Sequence, residues 1–159
     1  MPSYADARPL ISSGDLLAWS DCDLVARAIR LWTQSTWDHV GIAWRFRDRL
    51  FVLEATLSGV GLRALSLATP FDWIATSAKW TDDVEAFALA QLGRPYDVYD
   101  AIRVGLGVKP SSAGEICSLY AAEVIAATGA TSFLRKGLTP QALVATMLYR
   151  GCELRRVTG

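Results

Sequence analysis

The sequence predicts an α+β fold in which helices pack on an antiparallel sheet or a small barrel. Candidate strands dominate the first half of the chain and candidate helices the second half, an order typical of this class. The chain has 159 residues, of which 52% are hydrophobic. That length and composition suit one hydrophobic core rather than two domains. We therefore expect residues 1–159 to form a single domain.

The first half of the chain contains four candidate strands, each bounded by turn-forming or charged residues. They cover residues 16–19, 37–46, 50–57 and 60–67. The second and third of these flank a short charged turn, so they are predicted to form a hairpin. Thr69-Pro70 is expected to begin a short helical or irregular segment.

The second half is predicted to be mainly helical, because its apolar residues recur at helical spacing and Gly or Pro ends several of the runs. Together with one segment near the N-terminus, the predicted helices cover residues 24–32, 84–92, 96–106, 116–128 and 140–149. Residues 152–157 are predicted to return as a final strand.

Charge and hydropathy argue against two classes of partner. Sixteen basic and sixteen acidic residues give no net charge, so nothing global attracts the chain to nucleic acid or an anionic membrane. Arg45, Arg47 and Arg49 form a local basic turn, but Phe46 and Asp48 interrupt it, which is typical of a solvated hairpin tip. The uncharged runs are too short and too mixed to form an integral membrane segment.

The cysteines and the N-terminus bear on the compartment. Cys22, Cys117 and Cys152 are odd in number and lack CxxC spacing, which favours a reducing compartment over a disulfide framework. Residues 1–9 contain no apolar signal-peptide core. A cytoplasmic location is therefore the default expectation, with export by another route left open. The oligomeric state is not predicted.

His39 is the only histidine in the chain. Zinc sites that need two or three imidazoles are therefore excluded within one subunit, and three scattered cysteines argue against a Cys-rich zinc site. No metal and no other cofactor is predicted. Any imidazole chemistry in one subunit belongs to His39.

The predicted hairpin brings an acid near His39. Strand alternation places His39 on the face that carries small residues at positions 41 and 43. With the turn centred between residues 46 and 47, Glu54 falls opposite His39. A slip of two residues leaves them diagonal neighbours, and a slip of one turns Glu54 away. A neutral core histidine beside a structural glutamate is the alternative interpretation.

Cys117 falls in the first turn of the predicted helix 116–128. Free amide groups and the positive end of the helix dipole stabilise a thiolate there, and the same amides can hold an oxyanion. Cys22 lies between two aspartates whose charges disfavour a thiolate, and Cys152 lies in a predicted strand. The alternative is that Cys117 is a small buried hydrophobic residue.

Small residues suggest how this helix meets the sheet. Ala121 and Ala122 allow the helix to lie close to a neighbouring element. Gly41 and Ala43 offer a matching surface on the strand that carries His39, so we expect the helix to pack on that face.

Five segments occur in the order found in YiiX-like proteins, and we identify the resemblance on them: Gly14-Asp15-Leu16-Leu17, Trp37–Ile42, Val52–Ala55, Gly93–Asp97 and Cys117-Ser118. These proteins belong to the circularly permuted branch of the NlpC-type, papain-like cysteine peptidase and amidase superfamily, in which the histidine precedes the cysteine. The resemblance covers roughly Gly14 to Ala127.

The resemblance implies a role for each matched residue. Cys117 corresponds to the nucleophile, His39 to the general base and later acid, and Glu54 to the polar residue that orients the imidazole. Tyr96 matches a tyrosine that lies near the site and is expected to contact substrate. Leu119 is a departure, because the family often has a glutamate there, but that glutamate holds none of the three catalytic roles.

The resemblance implies a cysteine hydrolase that cleaves an amide bond through an acyl-thioester, with peptidoglycan peptides as a candidate substrate. Its partner would be a peptide or an acylated small molecule. A lipid or ester acyl hydrolase or acyltransferase is one alternative, favoured by the apolar content and by Trp32, Trp37 and Trp44 near the histidine. These tryptophans are also consistent with an ordinary core. A catalytically idle papain-like binding module is the other alternative.

Overall fold

The computed structural model describes residues 1–20, 36–95, 116–130 and 138–159 of the protein. Its six strands are β1 (Leu16–Trp19), β2 (His39–Phe46), β3 (Arg49–Thr56), β4 (Gly59–Ala64), β5 (Phe71–Ala75) and β6 (Glu153–Val157). They form one open sheet in the order β4-β3-β2-β1-β5-β6, and all neighbouring strands are antiparallel.

The described helices are α1 (Tyr4–Ala7), α2 (Asp82–Leu89), α3 (Cys117–Ala127) and α4 (Pro140–Tyr149), with a 3₁₀ turn at Leu65–Leu67. The predicted α+β class is confirmed, and the sheet alternative holds rather than the barrel. Of the predicted helices, those over residues 24–32 and 96–106 lie outside the described residues.

Strand β5 is the main difference from the sequence prediction. Residues Phe71–Ala75 form a strand between β1 and β6, where a helical or irregular segment was expected. The first four residues of β5 are all buried, as are the four of β1, but the charged Asp72 interrupts the apolar run of β5, so neither sustained alternation nor a continuous apolar run marks this strand. In addition, the predicted strand over 60–67 ends at Ala64 and continues as the 3₁₀ turn.

The helix starts differ in how they are capped. Thr81 accepts a hydrogen bond from the Val84 amide at the start of α2, and Thr139 accepts one from the Ala142 amide at the start of α4. Such caps satisfy amides that have no partner inside the helix. The N-cap of α3 is Ile116, whose side chain makes no capping hydrogen bond. The first-turn amides of α3 therefore receive no side-chain cap from it.

Two cores lie on opposite faces of the sheet. Val40 and Ile42 share a core with Ala121 and Ala122 of α3, whereas Ala43 belongs to the second core. The expectation that α3 covers the small-residue face of β2 is therefore wrong. The helix covers the face with the larger apolar side chains, because burying them removes more apolar surface from water.

The hairpin between β2 and β3 turns at Arg47 and Asp48, and both residues and Arg49 are exposed. Arg45 differs from the predicted solvated tip, because its guanidinium donates 2.6 Å hydrogen bonds to the carbonyls of Arg8 and Ile11. Separately, none of the helices in the described part of the chain is long and apolar enough to cross a membrane.

Candidate functional site

The β2–β3 register places Glu54 diagonally from His39. Ile42 pairs with Leu53, so the next position along β3, Glu54, lies opposite Gly41. The expected direct pairing of His39 with Glu54 is wrong by two residues, because the turn is centred one residue later than expected. The two side chains still share a face, and His39 Nε2 lies 2.7 Å from Glu54 Oε2.

Gly41 makes room for this diagonal contact. A Cβ atom at position 41 would lie 2.5 Å from Val52 Cγ2 and 3.2 Å from Glu54 Cβ. The first distance is far shorter than the separation of about 3.5–4.0 Å at which carbon atoms attract each other. The small residue beside His39 therefore accommodates the side chains of β3 and not the helix α3.

The Glu54 carboxylate is buried and doubly paired. Its exposed fraction is 4%, its Oε1 accepts a 2.9 Å hydrogen bond from Arg63 Nε, and its Oε2 accepts a 3.2 Å bond from Arg63 Nη2. Burial raises the pKa of Glu54, but the hydrogen bonds and positive charges of His39 and Arg63 hold that pKa below its ordinary value. The geometry thus favours an ionised carboxylate next to the imidazole.

Trp19 adds an aromatic wall to the same cluster. Its ring centroid lies 5.5 Å from that of His39, and Arg63 Cζ lies 5.8 Å from the Trp19 ring. The Trp19 indole donates a 2.6 Å hydrogen bond to the Ala68 carbonyl, which fixes the ring. Trp19, His39, Glu54 and Arg63 come from β1, β2, β3 and β4, which are consecutive in the sheet.

Sequence reasoning missed Arg63 and Trp19. Both depend on strand pairing: Trp19 pairs with His39, and Arg63 pairs with Val52, one diagonal step from Glu54. Alternation along β4 gave a signal, because Leu62 is exposed while Arg63 points to the Glu54 face. That signal identifies a partner only once the register is known.

Cys117 is the first residue of α3 and only 6% exposed. Burial lowers the pKa of His39, but hydrogen bonding with Cys117 and Glu54 and the charges of both groups raise it to about 10. The imidazole of His39 therefore interacts with both the Cys117 thiol and the Glu54 carboxylate, and its Nε2 is the nitrogen that faces Glu54.

The start of α3 offers hydrogen-bond donors next to the thiol. The first helical hydrogen bond runs from the Tyr120 amide to the Ile116 carbonyl at 2.9 Å. The amides of Cys117, Ser118 and Leu119 precede it, and amides in that position have no helical acceptor. Groups of this kind bind anions at helix N-termini.

The other predicted site residues are only partly described. Tyr96 and Trp32 lie outside the described residues. Trp37 packs against the core on the α3 face and donates a 2.7 Å hydrogen bond to Asp72 Oδ2, and Trp44 is buried in that core with its indole bonded to Glu85 Oε2 at 2.9 Å. These two tryptophans therefore match the core interpretation.

No protein-family model and no curated protein matches the chain. Among solved structures, it matches the crystal structure of the metalloprotein YiiX from Escherichia coli O157:H7 with a TM-score of 0.56. The two are 18% identical, and the match covers 74% of this chain and 66% of that one, so this chain spans about two thirds of the YiiX chain. The YiiX-like fold implied by the resemblance is therefore confirmed.

YiiX is a metalloprotein, and a metal ion in this chain would need donor atoms that are not already paired. Both Glu54 oxygens accept hydrogen bonds from Arg63, and one of them also contacts His39. A cation at this carboxylate would have to displace a guanidinium. Within the described ranges, no three His, Cys, Asp or Glu side chains come together as a metal site. These residues do not fit a metal ion.

Proposed function

We propose that the protein is a cysteine hydrolase that cleaves an amide bond through an acyl-thioester on Cys117, with peptidoglycan peptides as the candidate substrate. One observation carries the proposal: a single imidazole, that of His39, interacts with a cysteine at a helix start and with a buried carboxylate. A nucleophile, a base and an orienting group in this relation define the catalytic triad more reliably than sequence order does.

In the acylation step, His39 accepts the Cys117 proton, or holds a thiolate–imidazolium pair that has already formed. The sulfur attacks the amide carbonyl carbon, and the carbonyl π electrons move to oxygen. The first-turn amides of α3 are proposed to hold this oxyanion. When the C–N bond breaks, the imidazolium gives its proton to the leaving amine, and the acyl group stays on sulfur as a thioester.

In the deacylation step, His39 takes a proton from water while the water oxygen attacks the thioester carbon. The C–S bond then breaks, and the sulfur recovers the proton from the imidazolium. The products are a carboxylic acid and the restored cysteine. Glu54 keeps the imidazole oriented and stabilises its positive charge through both steps, without taking up a proton itself.

Covalent labelling tests the proposal. The protein is treated separately with an electrophilic peptide-amide probe, an acyl-ester probe and iodoacetamide near neutral pH, and mass spectrometry locates each adduct. We expect all three on Cys117, with peptide-amide labelling faster than acyl-ester labelling. Iodoacetamide should reach Cys117 before Cys152, although Cys152 is the more exposed of the two, because Cys117 lies at a helix start and interacts with His39, whereas burial raises the pKa of Cys152.

Two variants make the labelling interpretable. Cys117→Ser should remove labelling by both mechanism-based probes, whereas Cys152→Ser should leave it unchanged. If only the ester probe labels Cys117, the amidase proposal is wrong and the alternative of an acyl hydrolase or acyltransferase is supported. If no reagent labels Cys117, the hydrolase proposal is wrong and the alternative of a catalytically idle binding module is supported.

A further inference from the structure

We propose that Arg63 is a positioning residue for the His39–Glu54 pair, and that Trp19 is the platform on which its guanidinium rests. The inference rests on the proposed function, because positioning Glu54 matters for catalysis only if His39 acts on Cys117. It extends that function by adding Arg63 from β4 and Trp19 from β1 to the site, and by giving Arg63 control over the protonation of the pair.

The contact between Arg63 and Glu54 is a bidentate ion pair. Nε and Nη2 of Arg63 reach the two oxygens of Glu54 at 2.9 and 3.2 Å. This fork fixes the plane of the carboxylate, and in that plane Oε2 lies 2.7 Å from His39 Nε2. A carboxylate held at both oxygens has little freedom to rotate away from the imidazole.

This ion pair differs from an ordinary surface salt bridge. The Arg63 side chain is 40% exposed, but that of Glu54 is only 5% exposed. An exposed pair contributes little, whereas a buried carboxylate that loses one partner keeps an uncompensated desolvation cost. Losing Arg63 should therefore affect the buried Glu54 carboxylate more than the loss of a partner affects an exposed carboxylate.

Trp19 explains why the guanidinium stays in place. Arg63 is on β4 and Trp19 is on β1, with β3 and β2 between them. Arg63 Cζ nevertheless lies 5.8 Å from the Trp19 ring, so the two side chains reach towards each other over the strands that carry Glu54 and His39. A cation over an indole face at this distance is attracted to it.

The arrangement has an electrostatic consequence. In the described part of the chain, the charged or titratable groups at Glu54 are His39 from β2 and Arg63 from β4, and Cys117 from α3 acts through the imidazole. Removing the guanidinium removes part of what lowers the pKa of Glu54 and leaves burial unchanged. Glu54 would then take up a proton at a higher pH, and the imidazolium would lose its counter-charge.

A titration by NMR tests this directly, because the chain has one histidine and its ring signals need no assignment. The His39 signal is followed against pH in the wild type and in Arg63→Gln. We expect the acid-side inflection, at which Glu54 protonates, to move up by about one pH unit in Arg63→Gln. The acid limb of kcat/KM should move by the same amount. Arg49→Gln, an exposed position on β3, should change neither.

Arg63→Lys separates charge from geometry. It keeps the positive charge but not the fork, so the inflection should stay close to the wild-type pH while kcat/KM still falls several-fold. An unchanged inflection in Arg63→Gln would overturn the proposal. If Arg63→Gln does not fold, a wild-type kcat/KM in Arg63→Lys would overturn it instead. The inflection shift does not depend on turnover, so finding it without Cys117 labelling would support the positioning role and overturn the proposed function.

Discussion

Two buried carboxylates in this protein have opposite environments. Glu54 is 4% exposed and Asp15 is 3% exposed. Glu54 faces two cationic partners, His39 and Arg63. Asp15 accepts hydrogen bonds from neutral donors, the Trp73 indole at 2.8 Å and the amides of Ser12 and Thr76 at 2.9 and 3.0 Å.

The pKa values of the two groups move in opposite directions. Burial raises the pKa of Asp15, and its hydrogen bonds only partly offset the rise. The pKa of Glu54 is lowered in spite of burial, because its partners are charged. Burial alone therefore does not separate a structural carboxylate from a candidate functional one, whereas the charge of the partners does.

The largest expected effect is on turnover at the Glu54 site. His39→Ala and Cys117→Ala should each lower kcat by at least about a thousandfold, because the proposed nucleophile and base would act as one unit. Thermal unfolding should show that both variants remain folded. A rate on a cleavable peptide amide within tenfold of the wild type would contradict the catalytic assignment. Cys152→Ala is the matched control and should turn over normally.

The second effect belongs to Asp15 and concerns stability. Asp15→Ala leaves three donors without their acceptor, and we expect the free energy of unfolding to fall by about 3 kcal/mol. Urea denaturation measures this loss. Turnover per folded molecule should stay at the wild-type value, because Asp15 contacts none of His39, Glu54 and Cys117 through its described hydrogen bonds. A matching loss of turnover in the folded protein would show that the two carboxylates are not independent.

Much of the fold could be predicted from local patterns. Strand alternation and turn residues located β1 to β4 and β6, and helix periodicity located α2 to α4. Strand β5 was missed although β1 is equally buried, because the charged Asp72 interrupts its apolar run and the preceding Thr69-Pro70 favoured a helical or irregular segment. Helix α1 was not predicted, because four residues are too few for helical periodicity to be visible, and the structure shows that a capping box of Ser3 and Asp6 begins it.

Only those parts of the candidate site that depend on local sequence could be predicted. Cys117 follows from its place at a helix start, and Glu54 from its place in an apolar run near His39. The two-residue register error did no harm, since a shift of two keeps both side chains on one face. Predicting the role of Arg63 requires knowing how a third strand pairs, and predicting which face of the sheet α3 covers requires knowing the whole core. Neither follows from local sequence.

The third expected effect concerns how the free energy of unfolding changes with pH, which should differ in sign between the two carboxylates. Glu54 has a lowered pKa, so it stabilises the fold above its unfolded pKa and loses that contribution as pH falls through its folded value. Asp15 has a raised pKa, so the fold gains stability as pH falls through that value.

Urea denaturation between about pH 7 and about pH 3 therefore separates the two groups. The stability advantage of the wild type over Glu54→Gln should shrink towards acid, whereas its stability relative to Asp15→Asn should improve. The same direction of change for both pairs would remove the distinction between the two carboxylates.

The smallest effect comes from the glycines on either side of Glu54, Gly41 on β2 and Gly61 on β4. A Cβ at Gly41 would press on Val52 and Glu54, whereas a Cβ at Gly61 meets nothing within 4 Å. We expect Gly41→Ala to lower the free energy of unfolding by about 1 kcal/mol and Gly61→Ala to leave it nearly unchanged or slightly raised. Gly41→Ala should also lower kcat/KM several-fold, since the displaced Glu54 no longer meets Nε2 of His39 at 2.7 Å. Denaturation and kinetics on the two variants measure both quantities. Equal behaviour of the two would mean that the site tolerates movement of Glu54, and that the close approach of β2 and β3 is a matter of packing alone.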